Sequence, residues 1–261
     1  MTPFDSVVDR IRRRGFYNHR LGDHIDILRR GFVEDLSRYC PRFEADLSGH
    51  VISCQKNMRD PAAQYRKLDF AIGDASQDGD LDIRKLRICL KNKSVITGHA
   101  SRNSRFWDLT AALWALEELK SRAVLVATVI VGVAERVLNV PDKVKPFYKR
   151  NPGTFESSVL PRLSSGDQTL WEQFDWAISS NRPDDPQRTI AKFRELPIRR
   201  PGRTHVVGYD YVLLVPAYID NVNPPYIVPP EDPRSFGIDV ERDYAKMLEI
   251  ACKGYTARWH L

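Results

Sequence analysis

An uninterrupted apolar run, AVLVATVIVGVA at residues 123–134, constrains the fold of this chain more than any other feature. Its 12 residues fall well short of the roughly 20 that a membrane-spanning helix needs. The run is too continuous for an amphipathic surface helix and is rich in β-branched residues, so it predicts a strand that is buried on both faces. Buried strands of this kind run parallel to a neighbour in sheets that helices cover, and we therefore expect a soluble α/β protein.

The rest of the composition agrees with one globular domain. The chain has 261 residues, of which 42% are apolar, and this excludes disordered and collagen-like classes. We expect a single domain over 1–261, with a core at about 23–140 and a C-terminal elaboration at about 141–261. The N-terminus has Asp5 and no apolar run before its arginines, so it predicts no secretory signal. The four cysteines form no CxxC pair, and we expect reduced thiols in a cytoplasmic protein.

Hydrophobic periodicity predicts the order of the elements. Helical spacing of apolar residues predicts helices at about 4–14, 23–39, 105–120, 171–178 and 240–251, and the stretch between the second helix and Arg66 is predicted to be irregular. Alternation predicts strands at 68–72 and 86–91, joined by a polar loop at 74–82 as an antiparallel hairpin, and a late strand at 205–217. The fold class is therefore α/β, with a central mixed β-sheet flanked by helices.

Two charged residues of the hairpin have the chemistry of phosphodiester hydrolysis. Asp69 lies in the first strand, and Lys93 lies just past the second strand, where hairpin pairing can bring it near Asp69. Hydrolysis of a phosphodiester needs a divalent cation held by carboxylates, and a nearby lysine can orient the attacking water. The alternative for Asp69 is a solvent-facing position, and for Lys93 an edge-strand lysine that blocks aggregation.

This arrangement resembles the PD-(D/E)XK nuclease superfamily, and specifically its type II restriction endonucleases. The matching residues are LeuAsp at 68–69, Lys93, the segment KSVITGH at 93–99 that follows it, and the arginine-bearing start of the next helix. The resemblance extends from Leu28 to Val133 and returns at 205–225. It implies a restriction-endonuclease-like fold, Mg²⁺-dependent cleavage of double-stranded DNA, a homodimer that reads a palindrome, and a place in a restriction-modification system.

One position departs from the family pattern. The motif calls for an aspartate or glutamate two residues before the lysine, and here Lys91 stands at that position. Three interpretations are open: the acid was lost through an inactivating substitution, it migrated to another element, or the assignment of the motif is incorrect. Among acids that could compensate, Glu34 is the best placed because the family's first core helix often contributes a metal-linked glutamate. The resemblance thus implies Asp69 and Glu34 as Mg²⁺ ligands, Lys93 as the catalytic lysine and Lys91 in the place of the missing acid; the alternative for Glu34 is a solvated carboxylate.

A stretch of positive charge surrounds the second strand of the hairpin. Residues 84–105 contain seven lysines and arginines and no aspartate or glutamate, as phosphate neutralisation requires. Polar side chains alternate with these cations at the start of the next helix, where they can bind phosphates or base edges. We therefore predict a DNA-binding set composed of His99, Ser101, Arg102, Asn103 and Arg105.

Three functions are consistent with these features. The first is a sequence-specific double-stranded DNA endonuclease of restriction type that Lys91 has impaired. The second is a non-catalytic DNA-binding protein with a nuclease-like fold, and the third is a nuclease of repair or recombination. The chain has no glycine-rich phosphate loop, no nucleophile elbow and no HExxH spacing, so nucleotide hydrolysis, serine hydrolysis and zinc proteolysis are not indicated.

Overall fold

The computed structural model describes residues 1–14, 16–17, 23–60, 63–75, 81–97, 99–151, 153–173, 176–200 and 202–260. Part of the predicted hairpin loop at 74–82 lies outside the described residues. None of the helices in the described ranges has both the length and the apolar content to cross a membrane.

The helices of the described ranges are α1 (Pro3–Arg14), α2 (Asp23–Tyr39), α3 (Pro41–Ser48), α4 (Arg102–Glu118), α5 (Lys145–Arg150), α6 (Leu160–Ser164), α7 (Gln168–Gln173), α8 (Asp185–Arg194) and α9 (Val240–Trp259). The strands are β1 (Ile52–Asp60), β2 (Ala63–Asp74), β3 (Leu86–Val95), β4 (Val124–Gly132), β5 (Arg136–Asn139), β6 (Ala177–Ser180), β7 (Tyr211–Tyr218) and β8 (Tyr226–Ile227).

Six of the strands form one mixed sheet in the order β1-β2-β3-β4-β7-β8. The pairs β1/β2, β2/β3 and β7/β8 are antiparallel, whereas β3, β4 and β7 run parallel. Helix α4 connects β3 to β4, as a parallel pair requires. Helices cover the sheet, so the predicted α/β class with a central mixed sheet is confirmed.

The central prediction of a hairpin followed by a helix and a buried strand is confirmed. Phe70 of β2 lies opposite Leu90 of β3 in antiparallel register. Every residue of β4 is buried, which accounts for its unbroken run of β-branched and other apolar residues. The late strand is confirmed but shorter than predicted, since β7 begins only at Tyr211.

The prediction of an irregular segment between Tyr39 and Arg66 is wrong, because α3, β1 and the start of β2 lie there. Cys40, the residue before Pro41, is extended with φ −121° and ψ 93°, so α2 ends and α3 begins within one residue. The sequence of β1 is mostly polar because β1 is an edge strand of the sheet, and its apolar alternation is correspondingly weak.

A second, smaller sheet pairs β5 with β6 and packs over its own apolar cluster, which includes Phe16, Phe155 and Trp176. The helix predicted around 171–178 is wrong in its second half, because Ile178 belongs to β6 and pairs with Leu138. Within the predicted C-terminal elaboration, β7 pairs with β4 and helix α9 packs against the central sheet.

Cys40 and Cys252 form a disulfide with a Cα–Cα distance of 5.4 Å, within the usual range for such bonds. The prediction of reduced thiols is therefore wrong for these two cysteines, whereas Cys54 and Cys89 are free. The two cysteines are separated by 212 in sequence, so the sequence does not indicate that they pair. The bond can form because α9 packs against α2 and α3.

Candidate functional site

Asp69 and Lys91 meet across the β2–β3 hairpin. Phe70 and Leu90 are partners in the antiparallel register, so Asp69 and Lys91 are the next opposed pair and point to the same face. The Nζ atom of Lys91 lies 3.2 Å from Oδ1 of Asp69, and the two side chains are 3% and 16% exposed. The second carboxylate oxygen of Asp69 accepts a hydrogen bond from the backbone N–H of Asn92 at 3.1 Å. The ammonium thus occupies the space beside the predicted metal ligand.

Burial governs the protonation of Lys91. Burial lowers the pKa of the Lys91 ammonium, and the neighbouring Lys93 lowers it further, while Asp69 opposes both effects. The phenol of Tyr209 is also buried nearby, and burial raises its pKa well above the ordinary value. Its hydroxyl donates to the carbonyl of Leu109 at 2.9 Å, so it does not compete for Asp69.

Lys93 and Arg105 share one carboxylate at the adjoining end of β3. Asp108, one turn into α4 from Arg105, lies 3.1 Å from Nζ of Lys93 and 3.6 Å from the Arg105 guanidinium. The carboxylate is 45% exposed, whereas the Lys93 side chain is 14% exposed. Among the described residues these two cations pair with this one carboxylate, which leaves one positive charge in excess. A phosphate could replace Asp108 as their partner.

These residues do not fit a bound Mg²⁺. Magnesium prefers near-octahedral oxygen coordination, usually with one or two carboxylates. Here one carboxylate, that of Asp69, is neutralised by an ammonium and a backbone N–H. Across the described residues, no group of three or more histidine, cysteine or acidic side chains is arranged to hold a metal ion.

Glu34, the predicted second Mg²⁺ ligand, lies on a different part of the surface from Asp69. It is exposed in a groove of about 640 Å³ between α1 and α2, which Arg10, Arg13 and Arg30 also line. Among the contacts of the described residues, none joins Glu34 to Asp69. Arg29 of α2 does interact with Asp69. Burial lowers the pKa of the Arg29 guanidinium, and the charges of Asp26 and Asp69 oppose that lowering.

The predicted DNA-binding residues separate into buried and exposed members. His99 is 1% exposed, and its ring nitrogens contact Thr189 Oγ1 at 2.7 Å and the Gly132 carbonyl at 3.1 Å. Burial lowers the pKa of His99, which favours the neutral ring. His99 therefore anchors the start of α4 to β4 and α8 rather than facing a ligand.

The other four members line the N-terminal end of α4. Arg102 pairs with Asp185 at 3.1 Å, and its side chain is 24% exposed. Asn103 is exposed, and Ser101 and Arg105 are half-buried. The structure thus brings Arg105 together with Lys93 and places Asn103 on the outer face of the helix.

The acids that neutralise segment 84–105 lie outside it, some close in sequence and others far along the chain. Arg87 illustrates this, since it contacts Asp46 of α3 and Asp74 of β2, both at 2.6 Å. Lys91, Lys93 and Arg102 pair with Asp69, Asp108 and Asp185 in the same way. Local composition therefore overstated the free positive charge of this segment.

Two further features of the site were not predicted from the sequence. On the opposite face of β3, Tyr17 contacts Ser94 between their hydroxyl oxygens at 2.8 Å, and burial raises the pKa of Tyr17 to about 12. Asn92 accepts a hydrogen bond from Thr128 at 2.6 Å, and its buried side-chain nitrogen has no partner among the described residues. The contact between Asn92 and Thr128 follows from the parallel pairing of β3 with β4, which places these two residues side by side.

No protein family, no curated protein and no solved structure matches this chain. The arrangement of its own residues is therefore the basis for any functional assignment.

Proposed function

We propose that this chain is a DNA-binding protein with a restriction-endonuclease-like sheet, in which Lys91 replaces the metal-binding acid and prevents Mg²⁺-dependent cleavage. It contacts duplex DNA through phosphates at the end of β3 and the start of α4. Cleavage of restriction type is the activity that an acid at position 91 would restore.

The ion pair between Lys91 and Asp69 carries this proposal. A carboxylate at position 91 would face the carboxylate of Asp69 and create a site of negative charge, whereas the ammonium cancels the charge of Asp69. At about 4 Å and an effective dielectric constant of about 20, a pair of unit charges interacts by about 4 kcal/mol, and a divalent ion doubles the energy. Solvent reduces this difference, yet enough remains to lower Mg²⁺ occupancy by orders of magnitude.

Support for an anionic ligand comes from the neighbouring cations. Lys93 and Arg105 share the single exposed carboxylate of Asp108. The chain also has a formal net charge of +6, and basic proteins gain affinity for nucleic acid by releasing counterions from phosphates. These observations favour an anion over a cation at this end of the sheet.

Two assays test the proposal. Fluorescence anisotropy with a labelled duplex pool, measured in EDTA and in Mg²⁺, should show no gain in affinity from Mg²⁺ because no metal takes part in binding; Mg²⁺ acts only as a competing counterion of the phosphates. Supercoiled plasmid incubated with the protein in Mg²⁺ should stay intact. Discrete plasmid fragments from the wild-type chain would overturn the absence of cleavage, and no detectable duplex binding in either buffer would overturn the DNA-binding function.

A further inference from the structure

A cavity of about 660 Å³ lies beyond the carboxyl ends of the parallel strands β4 and β7. Val133, which follows β4, and Tyr218, which ends β7, both line it. In open α/β sheets, ligands bind in the crevice outside the carboxyl ends of the strands, and small organic ligands usually occupy cavities of roughly 300–1,000 Å³. Of the described residues that line this cavity, none belongs to the candidate site around Lys93 and Arg105. It is therefore a second, separate candidate ligand site.

Much of the cavity lining is aliphatic. Leu138 of β5 and Ile178 of β6 are register partners, so their side chains lie on the same face of the small sheet. Leu160 and Leu163 are three residues apart and share one side of α6. Ile178 and Val222 are 40% and 46% exposed, and all five side chains line the cavity. An apolar molecule bound there would remove aliphatic surface from water, which is favourable.

Two charged residues of the cavity lining already have partners within the chain. The carboxylate of Asp220 is buried, and it accepts hydrogen bonds from the hydroxyl of Tyr218 at 3.0 Å and from the backbone and side-chain N–H groups of Asn223, both at 2.7 Å. The guanidinium of Arg234 pairs with Asp232 at 2.5 Å. These contacts hold the loop after β7 in place, and neither charge requires a ligand.

Glu135 and Arg136 also line the cavity, and they are adjacent in sequence at the start of β5. Both side chains are exposed, and among the residues that the structure describes neither has a hydrogen-bond or ion-pair partner. Arg136 and Leu138 are two residues apart on the strand, so they lie on the same face of β5. One carboxylate and one guanidinium are thus available for a ligand beside the aliphatic lining.

We propose that this cavity binds an α-amino acid with a large apolar side chain. Arg136 binds its carboxylate, because the planar guanidinium donates two parallel hydrogen bonds to such a group. Glu135 accepts hydrogen bonds from its ammonium, and the apolar side chain packs on Leu138, Leu160 and Ile178. A ligand with only one of the two charges would leave either Glu135 or Arg136 unpaired beside it, so the site selects a zwitterion.

Calorimetric titration of the full chain, without DNA and in EDTA, tests this proposal. L-Phenylalanine should bind. The analogue 3-phenylpropionate lacks the ammonium, 2-phenylethylamine lacks the carboxylate and glycine lacks the apolar side chain, so each should bind at least about tenfold more weakly. Equal binding by either singly charged analogue would overturn the selection of a zwitterion. Absence of both binding and a rise in melting temperature with phenylalanine, leucine and tryptophan at about 10 mM would overturn the site itself.

Three variants assign the binding to this cavity. Arg136→Gln, Glu135→Gln and Ile178→Asp should each weaken phenylalanine binding at least about tenfold, and because these side chains are exposed the variants should fold, as their melting temperatures will check. Arg194→Gln removes an exposed arginine of α8 outside the cavity and is the matched control, so it should leave binding unchanged. Phenylalanine binding that survives in both Arg136→Gln and Glu135→Gln, or that is lost equally in Arg194→Gln, would overturn the proposal.

This inference does not rest on the proposed DNA binding, because the cavity and the phosphate-binding residues are separate. Duplex binding should change little in Glu135→Gln and Ile178→Asp, and phenylalanine binding should change little in Arg105→Ala. Either proposal can therefore fail while the other holds.

Discussion

Lys91 of β3 and Asp69 of β2 form an ion pair across their hairpin, with Nζ 3.2 Å from Oδ1 and the lysine side chain almost fully buried. Removing one partner of a buried pair costs about 3–5 kcal/mol because an uncompensated charge remains. We therefore expect Asp69→Ala to lower the free energy of unfolding by an amount in this range, measured by urea denaturation. The double variant Asp69→Ala/Lys91→Met is the control and should recover most of the loss. An Asp69→Ala variant as stable as the wild type would show that the pair contributes nothing.

The same variant should respond to pH in a defined direction. Burial lowers the pKa of Lys91 in the folded chain, and loss of Asp69 lowers it further. A base whose pKa falls on folding binds fewer protons in the folded chain, so the free energy of unfolding rises as pH increases toward the unfolded value of about 10.4. Asp69→Ala should therefore regain stability relative to the wild type as the pH rises above neutral toward about 10.4. A stability difference that does not change with pH over this window would contradict the assignment.

Asp108 should restrain DNA binding, since it neutralises Lys93 and Arg105. Asp108→Asn removes the competing carboxylate, so we expect tighter duplex binding, whereas Arg105→Ala should weaken binding. The slope of log affinity against log salt should become shallower by about one in Arg105→Ala, one contact having been lost. Arg122→Ala, an exposed arginine at the opposite end of β4, is the matched control. Weaker binding by Asp108→Asn would place the DNA elsewhere.

Asp46 should make the fold sensitive to acid. Burial alone would raise the pKa of Asp46, but hydrogen bonds from Tyr255 and His260 and the charge of Arg87 outweigh it, so the net shift is downward. An acid whose pKa falls on folding adds stability above its unfolded value of about 3.9 and loses it as pH falls through the lower folded value. Asp46→Asn should therefore lower the melting temperature at pH 7 and flatten its dependence on pH below about 4. Glu44 is exposed on the same helix, and Glu44→Gln should change the melting temperature and its pH dependence far less. Changes as large as those of Asp46→Asn would contradict the role of Asp46.

The disulfide between Cys40 and Cys252 should stabilise the chain by joining α2 and α3 to α9. Loss of a native disulfide typically costs about 2–5 kcal/mol. Reduction should therefore lower the melting temperature of the wild type and leave Cys40→Ser/Cys252→Ser unchanged. Thiol titration of the unfolded, unreduced chain should detect only Cys54 and Cys89. Detection of all four cysteines before reduction would show that the bond does not form.

The elements of strong periodicity were predictable from sequence, and those without it were not. The β2–β3 hairpin, α4 and β4 follow from alternation, helical spacing and an unbroken apolar run, each of which reflects burial on a known side. The edge strand β1 has few buried positions and so leaves little pattern.

The candidate site was predictable only in part, because its charges are balanced over long sequence distances. Hairpin pairing could place Asp69 beside Lys91, since both belong to adjacent strands. The pairing of Arg87 with Asp46 and of Arg102 with Asp185 depends on how α3 and α8 pack. The composition of a local segment does not indicate that packing. The disulfide could not be predicted for the same reason, because it depends on how α9 packs against α2 and α3.

The central claim is that Lys91 occupies the place of a metal ligand. Calorimetric titration with Mg²⁺ in the presence of duplex DNA tests it most directly, on the wild type, on Lys91→Glu and on Lys91→Gln as the matched uncharged control. After subtraction of the same titration into DNA alone, the claim predicts no further Mg²⁺ binding by the wild type, binding by Lys91→Glu together with discrete fragments from plasmid DNA, and little gain by Lys91→Gln. Mg²⁺ binding and efficient cleavage by the wild type, with no gain in Lys91→Glu, would contradict it.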